Sequence, residues 1–133
     1  MQPSLFDARS DVPVLGPLAD RVRRHELTDG AWVDVRPGWM SGSVGLFERL
    51  RDDVPWRAER RTMYDRVVDV PRLVSTYHER YAWPDPLLGA ARDALDEQYR
   101  AELPEGFATA GLALYRDGSD SVAWHGDRIG KGR

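Results

Sequence analysis

The sequence predicts an α+β domain. Three observations carry that class. Apolar residues recur at helical spacing from Leu87 to Tyr99. Strand-like alternation flanks polar turns at Asp29-Gly30 and around Asp117-Gly118-Ser119. The chain has 133 residues, 41% apolar and 31% charged, which fits one folded domain with a modest core.

Taken in order, residues 1–17 contain Pro3, Pro13 and Pro17 with little periodicity and read as an extended arm. Residues 22–27 and 31–36 flank Thr28-Asp29-Gly30. Alternation around an Asp-Gly pair predicts a hairpin, because both turn positions need positive φ. Residues 37–43 read as a loop. Ser43 is placed to cap a short helix whose apolar positions are Leu46, Phe47 and Leu50, ending before Pro55. Residues 62–70 read as one strand. The aromatic and proline-rich stretch from Tyr77 to Pro86 reads as a loop. Asp85 followed by Pro86 is a helix start, and Leu87, Leu88, Ala91, Leu95 and Tyr99 carry the helix to about residue 102. Pro104-Glu105-Gly106 ends it. Residues 107–127 then read as strand, polar turn, strand. Trp32, Trp39 and Trp56 are assigned to packing.

Composition removes several classes. There is no cysteine, so disulfides, thiolate metal sites and a cysteine nucleophile are excluded, and a cytoplasmic location is the default. No apolar run approaches about 18 residues, so no membrane span is expected. The amino terminus lacks a basic region followed by an apolar stretch, so no secretory signal is visible. Net charge is −3, and the basic residues are 18 arginines and 1 lysine. Arg21, Arg23 and Arg24 cluster, as do Arg57, Arg60 and Arg61 with Arg66 nearby. The preferred reading is a solvated, ion-paired surface; a nucleic-acid footprint is the rival.

The stretch that carries chemistry is Trp124-His125-Gly126-Asp127. On a strand, residues two apart share a face, so His125 and Asp127 can present an imidazole and a carboxylate side by side. Two histidines and one carboxylate on one face of an iron leave open positions for a cosubstrate and oxygen. Alone, His-x-Asp is a weak signal. Its setting adds to it. The run ALYRDGSDSVAWHGD, residues 113–127, resembles the AlkB family of iron(II)/2-oxoglutarate dioxygenases, where a strand bearing Asn-x-Tyr leads through a polar turn to a strand ending in His-x-Asp. Val70-Pro71-Arg72 and Tyr77 resemble the segment before that family's substrate lid.

The resemblance implies a substrate-binding extension over residues 18–106, behind the arm at 1–17. Residues 107–133 would then be the first strands of a double-stranded β-helix, or jelly roll, left incomplete. It implies metal ligands His125 and Asp127, with Tyr115 hydrogen-bonded to 2-oxoglutarate. Iron(II), 2-oxoglutarate and molecular oxygen would be the cofactors. The reaction would be oxidative demethylation of alkylated bases in DNA or RNA, a DNA-repair chemistry that reaches flipped or unpaired nucleotides. Ala113 departs from the pattern, standing where the Asn of Asn-x-Tyr is expected, and Arg128 follows Asp127 where repair enzymes carry acids.

Further expectations attach to that frame. Tyr81 and Trp83 sit where the family has its base-covering lid and are candidate stacking residues. Gln2, Leu5 and Phe6 resemble a bacterial sliding-clamp-binding peptide on an exposed arm. The family's distal histidine and cosubstrate arginines lie beyond residue 133, so the 133-residue chain is expected to be a fragment and inactive alone. The alternatives are a noncatalytic nucleic-acid-binding or interaction remnant, and a dioxygenase for a non-nucleic substrate.

Overall fold

In the computed structural model, which describes residues 12–63 and 65–123, Asp29 and Gly30 both take positive φ, at 58° and 79°. They turn the chain between β2 (Arg23–Glu26) and β3 (Trp32–Val35), which pair antiparallel with Arg24 opposite Asp34 and Glu26 opposite Trp32. The hairpin is therefore where the Asp-Gly pair predicts it. Upstream, β1 (Val14–Leu15) pairs antiparallel with β4 (Met40–Ser41), so the end of the expected arm is a short strand. The backbone N–H of Gly16 donates to the carbonyl of Trp39 at 2.7 Å, and the Trp39 indole donates back to Gly16 at 3.0 Å.

Two α-helices are described. Helix α1 (Ser43–Asp53) has its cap one residue earlier than expected: Gly42 holds the N-cap at φ 69°, and Ser43 is already helical. A side chain on Gly42 would meet the Val12 carbonyl oxygen at 2.2 Å, so close approach of two backbones selects glycine here. Leu46 is buried and Val54 closes the helix, but Phe47, expected to face inward, is 49% exposed. Helix α2 (Pro86–Gln98) starts as the sequence indicates. Asp85 caps it, accepting from the Leu87 N–H at 2.9 Å, with Pro86 in the first turn.

The stretch expected as one strand over 62–70 is instead the bend of a hairpin. Strand β5 (Arg57–Met63) pairs antiparallel with β6 (Arg66–Tyr77), and Asp65 takes the left-handed conformation at the turn, φ 66°. Aspartate tolerates that conformation, which is how a continuous strand-like pattern conceals a reversal. Strand β6 is central in a three-stranded sheet ordered β5-β6-β7, with β7 spanning Ala110–Leu114. The register shifts between Ala58 and Arg60, opposite the part of β6 that holds Pro71. A central strand accepts proline at such an irregularity, where no ladder N–H is required.

The architecture is thus α+β, made of helices and small antiparallel sheets. The residues divide into two compact units. One contains the described residues through Val54 together with Tyr77–Ala110. The other contains Pro55–Thr76 and the residues from Gly111 onward. Among the described residues, Leu18, Leu46 and Val54 are the buried apolar residues of the first, and Val70 is that of the second. Among the described residues, no helix is long and apolar enough to cross a membrane.

Candidate functional site

Strand β7 alternates. Leu112 and Leu114 are half-buried, whereas Gly111 and Ala113 are exposed, and Tyr115 just beyond the strand is 45% exposed. A two-residue period puts Ala113 and Tyr115 on the same, outward face. Ala113 offers that face no hydrogen-bonding group; Tyr115 offers a phenol.

The chain then enters a turn fixed by its own charges. The Arg116 backbone N–H and Nε both donate to Asp120 Oδ2 at 2.8 Å, and its Nη2 donates to Oδ1 at 3.0 Å. Asp117 Oδ1 accepts from the Ser119 N–H at 2.8 Å and from its hydroxyl at 2.6 Å. These donors hold both carboxyls below the usual range: Asp120 chiefly through the Arg116 side chain, Asp117 chiefly through the Ser119 side chain. Beyond the turn, the Ser121 N–H donates to the Pro71 carbonyl at 2.8 Å, and Arg72 Nη1 reaches the Ser121 carbonyl at 3.3 Å. The segment after the turn therefore runs beside β6. Residues 121–123 carry no strand assignment. His125 and Asp127, the expected metal ligands, lie outside the described residues, as do Gln2, Leu5 and Phe6. Among the described residues, no three histidine, aspartate or glutamate side chains gather into a metal-binding group.

In the first unit, Tyr81 and Trp83 are presented differently. Tyr81 is 83% exposed, with the guanidinium carbons of Arg92 and Arg80 at 5.2 and 5.5 Å from its ring centre. Trp83 is half-buried beside Arg92, at 5.1 Å, and its indole N–H is buried without an acceptor among the described residues. Arg92 is itself buried, donating to the Arg80 carbonyl and to Asp93. Arg80 pairs with Asp96, which also accepts the Phe107 N–H at 2.8 Å; that backbone bond, then Arg80, lowers the Asp96 carboxyl. Arg92 lies four residues after Leu88, on the inward side of α2. Its burial was readable only as a charged residue interrupting an apolar stripe.

One arrangement has no counterpart in the spacing of the sequence. Trp32, assigned to packing, is 39% exposed and helps to line an open cavity of about 420 Å³ together with Val33, Asp34, Tyr99, Leu103 and Phe107. Arg24 lies 3.6 Å above the Trp32 ring and grips both oxygens of Asp34 at 2.7 and 2.8 Å. The Tyr99 hydroxyl donates to Asp34 Oδ2 at 2.7 Å. Arg24 is the main cause of the fall of Asp34 to about 2; burial, then the bond to Asp34, lifts Tyr99 to about 12.

No protein-family model, no curated protein and no solved structure matches the chain.

Proposed function

We propose that this chain carries the strand-borne part of the metal centre of an AlkB-like iron(II)/2-oxoglutarate dioxygenase that demethylates alkylated nucleic-acid bases. One observation bears the most weight. The run of residues 113–127 that resembles the family begins on an outward-facing strand edge with Tyr115, and it passes through a turn pinned by Arg116–Asp120 and Asp117–Ser119. A fixed turn is what a site needs if residues on either side are to meet at one ligand.

The donor chemistry fits the group. An imidazole and a carboxylate, His125 and Asp127, are the donor types that hold non-haem iron(II). When bound, iron(II) with 2-oxoglutarate and oxygen supplies the oxidation that turns an N-methyl group into a hydroxymethyl, which leaves as formaldehyde. The chain's own residues bind and orient. The Tyr115 phenol donates a hydrogen bond to a carboxylate of 2-oxoglutarate, a charge-assisted contact. Ala113 makes none, so Tyr115 bears more of that task. Tyr81, exposed and backed by two guanidiniums, offers a face on which a base can stack. On this reading the sheet of β5, β6 and β7 belongs to the opening of a jelly roll in a cytoplasmic enzyme.

The test is release of formaldehyde from a single-stranded oligonucleotide bearing an N-methylated base, by the full product of the gene. Release should require iron(II) and 2-oxoglutarate and should vanish in His125→Ala. Tyr115→Phe should raise the KM for 2-oxoglutarate by roughly tenfold, as befits one hydrogen bond to a charged group, and change kcat little. Undiminished release in His125→Ala would refute the assignment.

A further inference from the structure

The hairpin of β5 and β6 concentrates positive charge, part of which has no carboxylate partner among the described residues. Between residues 57 and 66 the sequence has Arg57, Arg60, Arg61 and Arg66 against Glu59 and Asp65. All four arginines are exposed. Arg60 faces Asp69 directly across the ladder, and the two form an ion pair at 3.2 Å. Arg61 and Arg66 differ. Among the described residues, neither has a carboxylate within ion-pairing distance, Asp65 at the turn included.

The register places them together. Arg61 pairs with Val68 and Arg66 with Met63, so Arg61 and Arg66 share one face as diagonal neighbours, about 7–8 Å apart along the backbone. Arg60 and Asp69 occupy the other face. One side of the hairpin is thus internally neutralised, and the opposite side carries two adjacent guanidiniums that no carboxylate among the described residues compensates. The chain as a whole is acidic, at −3, so this is a local feature and not the average character of the surface.

We propose that Arg61 and Arg66 form a phosphate-contacting face that grips the sugar–phosphate backbone of a nucleic-acid strand. The planar fork of arginine matches phosphate oxygens, and paired guanidiniums at diagonal ladder positions can hold more than one. The choice of a nucleic acid as the polyanion rests on the dioxygenase reading above; the unpaired arginines themselves do not depend on it. The face supplies backbone affinity without reading sequence, which suits an enzyme whose target is a lesion at any position.

The experiment measures fluorescence anisotropy of a labelled, unmethylated single-stranded oligonucleotide with the full chain, from about 50 to 200 mM salt. Arg61→Gln with Arg66→Gln should weaken binding roughly 10- to 30-fold. The dependence of log affinity on log salt should become shallower by about 1.4, two phosphate contacts at about 0.7 each. The double lysine variant should recover the slope, and Arg60→Gln should move affinity less than about threefold. A double glutamine variant with wild-type affinity and slope overturns the proposal. So does a wild-type chain that binds anionic phosphatidylglycerol vesicles but no oligonucleotide, or neither. Binding to an unmethylated strand needs no iron and no turnover. A chain that binds through Arg61 and Arg66 yet never releases formaldehyde would defeat the dioxygenase reading alone; one that releases formaldehyde with both arginines dispensable would defeat this one alone.

Discussion

Both compact units hold paired arginines, Arg60 with Asp69 in the second included, but they differ in what the pairing does. In the first, Arg24, Arg49, Arg80 and Arg92 each reach a carboxylate: Asp34, Asp85, Asp96 and Asp93. The first three pairs tie separate segments together, whereas Arg92 and Asp93 are neighbours within α2. Arg49 on α1 holds Asp85, the cap of α2, at 2.8 and 3.0 Å, and Arg24 on β2 reaches α2's end through Asp34 and Tyr99. In the second unit, Arg116 closes its own turn, but Arg61 and Arg66 stand exposed and unpaired among the described residues. Charge spent within a fold restrains its parts. Charge left uncompensated on a hairpin face does nothing for the hairpin and is available to a partner.

That contrast is sharpened first by truncating the two cores. Leu46 is 6% exposed, and Leu46→Ala should destabilise the first unit by about 2–5 kcal/mol, seen as a lowered midpoint in urea unfolding. Val70, 8% exposed, loses two buried methyl groups in Val70→Ala and should cost about 2 kcal/mol. Equal tolerance of both changes would mean that neither core carries its unit. A smaller effect belongs to the bridge between hairpin and helix. Tyr99→Phe removes one donor from Asp34 and should cost about 1 kcal/mol.

The same bridge has a pH signature. Asp34 is depressed to about 2 in the folded chain against an ordinary 3.8. Its contribution is therefore fully present above about 3.8 and is lost as pH falls toward 2. Tyr99 is raised from 10 to about 12, so its contribution is present below 10 and is lost as pH climbs toward 12. In Tyr99→Phe the alkaline loss should disappear, and acid unfolding should begin at higher pH, both followed by circular dichroism. Unchanged acid and alkaline limbs would show that the bridge is decorative.

What the sequence disclosed depended on how local the cause was. The Asp29-Gly30 turn and the Asp85-Pro86 helix start are set by the φ preferences and capping groups of two residues each, and both stand where the sequence puts them. The reversal at Asp65 is hidden in the sequence because β-branched residues continue on both sides and the turn residue is not glycine. Gly42 replaced Ser43 as a cap because of Val12, thirty residues upstream, a contact no local pattern contains. The site was legible in a different sense. Tyr115, Ala113 and the turn at 116–120 could be read as a motif, and the structure gives their shared face and the bonds that fix the turn. The Arg24–Asp34–Tyr99 bridge joins positions 65 residues apart and left no trace in spacing. The pairing of Arg60 but not Arg61 likewise follows from strand register, which exists only once the chain reverses at Asp65.

The central claim is that His125 and Asp127 hold a metal together. Manganese(II) titration followed by electron paramagnetic resonance tests this without turnover, because the signal of the free ion falls as it binds. The full product of the gene should bind manganese(II), more tightly with 2-oxoglutarate present. His125→Ala and Asp127→Ala should each weaken binding by at least about tenfold, since even outer partners of metal ligands typically matter that much. Manganese(II) binding that is equally tight in the wild type and in both variants would contradict the account.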